Sequence, residues 1–324
     1  MEKSQKLATI GIDLGGTNLR AGLVGRSGKI LDLRLARAAD LDAQAILEKL
    51  VFCCRQLIDS GAERGFKVLG AGLGVAGKID SSKGLVVFSP NLPNLNGYRL
   101  GQNLEDALRL PVRMENDANV FGLGESFAGA ARGFANWVGI VLGTGAGGCL
   151  FLDGKLFEGD HLGFCAEIGH MIVEPGGPAC PCGSKGCLES FASARALVAG
   201  AKRAMRARKI KEGPLRELEE TGKLSAKAIY ECAQNGDKLC LELFDKMGWA
   251  LGLTLANLFS ALGIRRAVIG GGVGGAFELF IGSLEKTLAA NCSMLGGQSP
   301  QIIRGLLGDS AALIGAARLT PLSR

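Results

Sequence analysis

Apolar positions come in short runs separated by glycine along the first third of the chain, a pattern that predicts strands and tight turns. Leu7 to Ile12 reads as a strand that halts at Asp13-Leu14-Gly15-Gly16-Thr17-Asn18 and resumes at Leu19 to Val24, with a third strand at Lys29 to Ala36. Helical spacing then takes over from about Leu41 to Ser60 and ends near Gly61, a common helix stop. Val68 to Val75 is a continuous apolar and glycine run of the kind a buried central strand shows. A short helix at Gly101 to Arg109, a strand at Val112 to Glu115 and a helix from Ala118 to Ala130 complete this half.

The second half restarts the same order. Trp137 to Leu142 predicts a strand, Gly143 to Gly148 a glycine turn and Cys149 to Leu152 the returning strand, with a further turn at Asp153-Gly154. Helices follow at about Ala192 to Arg208, Ser225 to Asn235 and Asp237 to Leu262. A strand at Ala267 to Ile269 runs into Gly270-Gly271-Gly272-Val273-Gly274-Gly275, and Ala311 to Leu319 closes with a short helix. A strand, glycine turn, strand unit at the head of each half predicts a duplicated α/β fold of two lobes with a central cleft, a natural place to grip a ligand. The 324 residues suffice for two domains, drawn as 1–118 and 119–307, with a helix over about 308–324 packing back on the first.

Composition changes little in this picture. Apolar residues at 47% and charged residues at 21% are ordinary for a soluble globular protein, and the 50 glycines cluster in turns, which excludes collagen and a flexible linker. The net charge of +6 is mild; its densest run, from Lys202 to Lys211, reads as the solvated face of a surface helix. Nucleic-acid binding is not expected from it, since stacking needs aromatic neighbours. Phe134 to Leu152 carries no charge and is long enough to span a bilayer, yet its glycine-rich centre favours two strands, so no membrane partner is expected. Met1 to Leu14 lacks a secretory pattern, and many unpaired thiols point to a reducing cytoplasm.

The densest chemistry lies between Glu167 and Glu189. The chain has only two histidines, His161 and His170. His170 precedes Cys180, Cys182 and Cys187, and three thiolates with one imidazole form a closed, structural Zn2+ set with no position left for a reactive water. The alternative is a group of buried thiols or a redox pair. Cys53, Cys54, Cys149, Cys165, Cys232, Cys240 and Cys292 are scattered and read as small core side chains. His170 can bind a metal through one ring nitrogen and offer the other to a ligand hydroxyl, while Glu167 and Glu189 accept hydroxyls on either side, a set suited to a sugar. His161 reads as a loop residue.

Three glycine turns and one acidic motif remain. Gly15, Gly16, Thr17 and Asn18 expose backbone N–H groups and polar side chains to an anion, and Asp13 at the strand end is placed to hold Mg2+ through water. A tight hairpin with a capping aspartate explains the same residues. The second turn, with Gly143, Thr144 and Gly145, tips the balance, since two such turns facing one cleft suit the two ends of a triphosphate. Gly271 and Gly272 in the third cluster would lie against a flat adenosine. No G-x-x-x-x-G-K-[ST] segment occurs, and the first turn leads into a strand, which weighs against P-loop enzymes and dehydrogenases. Glu115-Asn116-Asp117-Ala118-Asn119 marks a strand-to-helix junction; Asp117 is either the helix N-cap or the base that takes a hydroxyl proton in phosphoryl transfer.

Taken in order, the Asp13 to Asn18 turn, Glu115 to Asn119, Leu142 to Gly148, Glu167-Ile168-Gly169-His170 and the Cys180 to Glu189 knuckle resemble the ROK family of sugar kinases and repressors over nearly the whole chain. The resemblance implies an actin-like ATPase (ribonuclease H-like) fold, assembly as homodimers or homotetramers, and ATP-dependent phosphorylation of a hexose; glucose is the expected substrate, the alternatives being fructose, mannose, N-acetylglucosamine, N-acetylmannosamine or a non-catalytic sugar-sensing regulator. It implies Asp117 as catalytic base, sugar contacts from Asn91, Asn116, Glu167, His170 and Glu189, and zinc held by His170, Cys180, Cys182 and Cys187. Cys149 departs from the glycine that relatives often carry there, a change expected in packing more than binding. Family repressors carry a DNA-binding domain ahead of the first turn; the twelve residues before Asp13 are too few for one.

Overall fold

The computed structural model describes residues 6–160, 164–295 and 297–320; His161 lies outside the described residues. The chain opens with strands β1 (Lys6–Leu14), β2 (Asn18–Gly25) and β3 (Ile30–Arg37), an antiparallel meander in which Asp13 faces Arg20 and Leu14 faces Leu19. Helix α1 (Ala43–Glu63) is capped by Asp42, whose carboxylate accepts the Ala45 N–H, and buries Ile46, Leu50, Cys53, Cys54 and Leu57 on one stripe. That spacing of three and four is what a single apolar helix face requires. Strand β4 (Phe66–Val75) runs parallel to β1, and after it come the hairpin β5 (Lys78–Asp80) and β6 (Leu85–Phe88), helix α2 (Leu100–Leu108), strand β7 (Val112–Asn116) and helix α3 (Asp117–Ala128).

Strands β8 (Trp137–Leu142), β9 (Ala146–Leu152) and β10 (Lys155–Leu156) begin the second sheet. Helices α4 (Ala194–Ala207), α5 (Pro214–Glu220), α6 (Ala226–Gln234) and α7 (Lys238–Leu262) follow, then β11 (Arg266–Gly270), α8 (Phe277–Asn291), β12 (Gln301–Arg304) and α9 (Ser310–Arg318). The first sheet has the order β3-β2-β1-β4-β7 and the second β10-β9-β8-β11-β12, so the same third-second-first-fourth-fifth order occurs twice. This repeat is the duplication expected from the two strand, glycine turn, strand units, and the fold is the actin-like one.

Contacts divide the chain into two compact units: Met1–Gly139 with Cys149–Ala166 and Leu306–Arg324, and Ile140–Gly148 with Glu167–Gly305. Within the first, α9 packs on α3 and on β1 and β4 at positions where glycine removes the obstacle. The glycine turn expected over 143–148 is shorter than read: β9 begins at Ala146, and Gly147 and Gly148 are strand residues. Glycine inside a strand marks close approach of another group. Gly139 in β8 is such a case, with the buried Cys149 thiol filling the space beside it and beside Gly122 of α3, while Gly169, outside the strands, lies against the Ala146 carbonyl. Strands β8 and β9 occupy the uncharged stretch, and among the described residues no helix is long and apolar enough to cross a membrane.

Candidate functional site

The first unit carries the Asp13 turn, Asn91, Asn116 and Asp117. Between β1 and β2 the turn closes with Gly15 N–H donating to the Asn18 carbonyl at 3.0 Å, and Ala38 N–H donates to the Thr17 carbonyl at 2.8 Å. A Cβ on Gly16 would stand 2.8 Å from the Asn91 carbonyl oxygen and 2.9 Å from its Cβ, so only glycine lets Asn91 lie against this turn. Asn91 is held there by its neighbours: buried Ser89 receives the Leu92 N–H on its hydroxyl at 3.1 Å, and its own N–H donates to Asn96 Oδ1 at 2.7 Å. Asp13 is raised from the usual carboxylate range to about 6, first by burial and then by the charge of Asp117, with Arg20 acting against both and Asp309 adding to them.

At the β7–α3 junction the helix cap is Asn116, in place of the aspartate that the sequence offered. Its Oδ1 accepts the N–H groups of Ala118 at 2.8 Å and Asn119 at 3.3 Å, and its Nδ2 donates to the Gly77 carbonyl at 2.9 Å. The amide keeps one N–H to offer a ligand. Asp117 is therefore the first helical residue, where a carboxylate is favoured by the helix dipole. Glu115 braces the junction from below: Oε1 accepts from the Asn116 N–H at 2.8 Å and Asn119 Nδ2 at 3.0 Å, and Oε2 from Ser81 at 3.0 Å. Glu115 stood inside the motif, but only the structure shows that it braces Asn116 and Asn119.

The second unit carries Gly143, Thr144, Gly145, Glu167, His170, the three cysteines, Glu189, Gly271 and Gly272. The turn between β8 and β9 closes with Gly143 N–H donating to the Gly145 carbonyl at 2.9 Å. Gly271, at φ +85°, backs onto it, since a Cβ there would be 2.8 Å from Leu142 N; Gly272 has open space before it. His170 Nδ1 lies 3.6 Å from Cys180 Sγ, and Cys182 Sγ lies 3.7 Å from Cys187 Sγ. All four potential ligand atoms are within 4.8 Å of one another. Tetrahedral zinc, with Zn–S of about 2.3 Å and Zn–N of about 2.0 Å, sets edges of about 3.8 Å between sulfurs and about 3.5 Å from sulfur to nitrogen. The His170–Cys180 and Cys182–Cys187 pairs match those edges.

Backbone geometry builds the knuckle. Cys180 N–H donates to Ser184 O at 2.8 Å and Gly183 N–H returns to Cys180 O at 3.0 Å, with Gly183 and Gly186 at φ +94° and +74°. Cys182 is lowered to about 7, chiefly by the Ser184 N–H aimed at its sulfur, toward the thiolate form a metal takes. His170 Nε2 points away from the cysteine side, 4.0 Å from Glu167 Oε2. Glu189 is buried and accepts from Ala146 N–H at 2.9 Å and from Arg195 Nη2 at 3.0 Å. Arg195 was not singled out by sequence; the signal available was Ser193, a capping residue just ahead of the apolar pattern of α4.

Comparison with known proteins agrees along the whole length. The ROK family profile matches residues 9–322. The chain is 34% identical to a glucokinase of Thermotoga maritima over 97% of both chains. It superposes on a ROK family glucokinase from Streptomyces griseus, solved with glucose and AMPPNP, with a TM-score of 0.82 and 34% identity over 97% of this chain and 99% of that one. It also superposes on a ROK family transcriptional regulator, a homologue of the E. coli MLC protein, with a TM-score of 0.86 and 25% identity over 98% of this chain and 78% of that one.

Proposed function

Because the chain belongs to the ROK family, we propose that it is an ATP-dependent hexose kinase that phosphorylates the 6-hydroxyl of glucose. The observation that carries this reading is the β7–α3 junction: Asn116 takes the capping duty and Asp117 stands as the next residue, near enough to Asp13 of the first turn for their charges to interact. Asp117 accepts the hydroxyl proton as the hydroxyl oxygen bonds to the γ-phosphorus, and the bond from that phosphorus to the β-phosphate oxygen breaks to release ADP. A carboxylate is a weak base for an alcohol, but in a loose phosphoryl transition state orientation counts for more than basicity.

The remaining roles follow from the donor chemistry. Asn91, Asn116, Glu167, His170 and Glu189 hold the hexose hydroxyls. Gly15, Gly16, Thr17 and Asn18, with Gly143, Thr144 and Gly145, receive phosphate oxygens, and Gly271 and Gly272 receive the nucleoside. A buried carboxylate beside a second carboxylate is a donor set that a hard divalent cation satisfies, so Asp13 is the residue to hold Mg2+, which supplies charge neutralisation of the phosphates when bound. His170, Cys180, Cys182 and Cys187 hold a structural Zn2+. The similarity to glucokinases along 97% of the chain supports glucose as acceptor.

A coupled assay of ADP release with Mg-ATP and a panel of hexoses and N-acetylhexosamines tests the proposal, with glucose expected to give the highest kcat/KM. No turnover with any of them would sink it. The similarity to a ROK regulator supports one rival, a sugar-responsive regulator that keeps the pocket without the chemistry. Asp117→Asn separates the two: the kinase loses about 100-fold or more in kcat with glucose affinity retained, whereas the rival has no turnover to lose.

A further inference from the structure

We propose that Arg195 is a positioning residue for hexose recognition, clamping Glu189 against the Gly143–Gly145 turn so that one carboxylate serves both the turn and the hexose. The inference rests on the kinase reading for the identity of the ligand, and on local geometry for the clamp. Glu189 is 8% exposed, so its charge must be met by nearby donors. Two are present: Oε2 accepts the Ala146 N–H at 2.9 Å, and Oε1 accepts Arg195 Nη2 at 3.0 Å. Each oxygen has a second lone pair, which leaves the carboxylate able to accept hydroxyls while held in place.

Gly145 shows how closely the pair lies on the turn. A Cβ there would stand 3.1 Å from Glu189 Cδ and 3.4 Å from Arg195 Nη2, with Glu189 Oε2 nearer still. Any side chain at 145 would displace the carboxylate. The backbone that carries Arg195 is fixed to the same two segments: Ser193 Oγ donates to the Glu189 carbonyl at 2.8 Å and accepts the Ala196 N–H at 3.1 Å, and Ala194 N–H donates to the Gly143 carbonyl at 2.9 Å. The start of α4 thus joins the end of the knuckle to the glycine turn. By contrast Glu167 is exposed, and its carboxylate has His170 Nε2 beside it only at 4.0 Å. Between the two carboxylates, Glu189 is the one whose position is set before a ligand arrives. An arginine suits this duty because its planar fork fixes direction as well as charge, which a lysine ammonium does not.

The test measures glucose KM, ATP KM and kcat for Arg195→Met and Arg195→Lys, glucose Kd by titration calorimetry, and the same quantities in a Glu189→Gln background. Arg195 is 49% exposed, so both variants are expected to fold, and a thermal melt checks this. Arg195→Met should raise glucose KM and Kd by about tenfold or more, the loss of a hydrogen bond to a charged group, with kcat and ATP KM within about threefold. Arg195→Lys should recover part of the affinity. In the Glu189→Gln background the added effect of Arg195→Met should shrink to about twofold or less, since residues acting through one another are not additive. Unchanged glucose affinity in Arg195→Met, an effect undiminished in the Glu189→Gln background, or a shift confined to ATP KM each overturns the clamp. Glucose binding without turnover removes the kinase reading alone, and Kd still decides the clamp; binding of no hexose at all overturns both.

Discussion

Gly315→Ala should be among the most damaging single-methyl additions in this chain. Helix α9 crosses α3 at a point where Gly315 meets backbone: a Cβ there would lie 2.6 Å from Gly124 N and 2.8 Å from the Val120 carbonyl carbon, with the Val120 oxygen closer again. Carbon contacts relax at about 3.5–4.0 Å, so the helices must part by roughly 1 Å or more. No rotamer change relieves it, because the obstructing atoms are main chain. The reverse face is equally tight. Gly11 and Gly72, register partners on β1 and β4, have the Leu313 and Ala316 carbonyl groups where their side chains would be, so α9 has no free direction of retreat.

Overpacking of this kind costs about 1–3 kcal/mol or more, and alanine returns up to about 1 kcal/mol through helix propensity. The net loss should be about 2 kcal/mol, which lowers Tm by roughly 4–8 °C for a cooperative unit of 150–250 residues. Gly282→Ala is the control: Gly282 lies inside α8, is exposed and has nothing within 4 Å of its would-be Cβ, so it should gain up to about 1 kcal/mol. Differential scanning calorimetry of the two variants beside the parent reads both signs. A Gly315→Ala protein that melts within 1 °C or so of its parent would refute the packing argument, whose only input is the main-chain approach of α3 and α9.

Three further outcomes follow from named contacts. Glu125, fully buried on α3, accepts the N–H groups of Ala130 at 2.7 Å, Leu307 at 2.9 Å and Leu306 at 3.2 Å; Glu125→Ala leaves these donors without their acceptor and should cost about 2–4 kcal/mol, read by urea unfolding. Asp32 is lowered to about 2, first by the Arg34 hydrogen bond and then by Ser60, so its contribution is complete above its unfolded pKa near 3.8 and is lost as pH falls through about 2. Solvent screening limits it to about 1 kcal/mol, and Asp32→Asn should therefore flatten the acid limb of a Tm-against-pH curve between pH 4 and 2. Chelation should remove about one zinc per chain and weaken glucose binding by calorimetry, while a stripped protein of unchanged affinity would argue against the cage as a support for the sugar wall.

What could be read from the sequence was what is local in it. The candidate metal-ligand set spans His170 to Cys187, and each glycine turn spans a few residues, so spacing alone makes their chemistry readable. Long elements were equally plain, as with α7, which runs from just after its Asp237 cap to Gly263 at φ +65°. Elements of three or four residues such as β5, β6 and β12 fall below any periodicity, and α5, opened by Pro214, was too short to stand out. The junction at Asn116 misled for another reason: two adjacent side chains could each cap α3, and the choice depends on the Gly77 carbonyl, 39 residues away, which holds the Asn116 amide. Likewise the bonds from Glu125 to Leu306 and Leu307 reach back across some 180 positions, and nothing near Glu125 in sequence announces them.

The same distinction explains why the candidate metal cage, the carboxylate and the glycine turn act as one piece in the second unit. Cys187 ends the cage, Glu189 follows two residues later, and Ser193 and Ala194 bind back to Glu189 and Gly143. Ile172 and Cys187 form an isolated bridge, with Leu188 N–H donating to the Met171 carbonyl at 2.9 Å, so the segment after His170 is tied to the segment before Glu189. A displacement of the cage must therefore move Glu189 first, whereas Gly271 meets this piece only at its far side, through Leu142. Loss of the metal should accordingly weaken hexose binding more than nucleotide binding. Equal loss of both would mean that the knuckle stabilises the unit as a whole and does not set the position of Glu189.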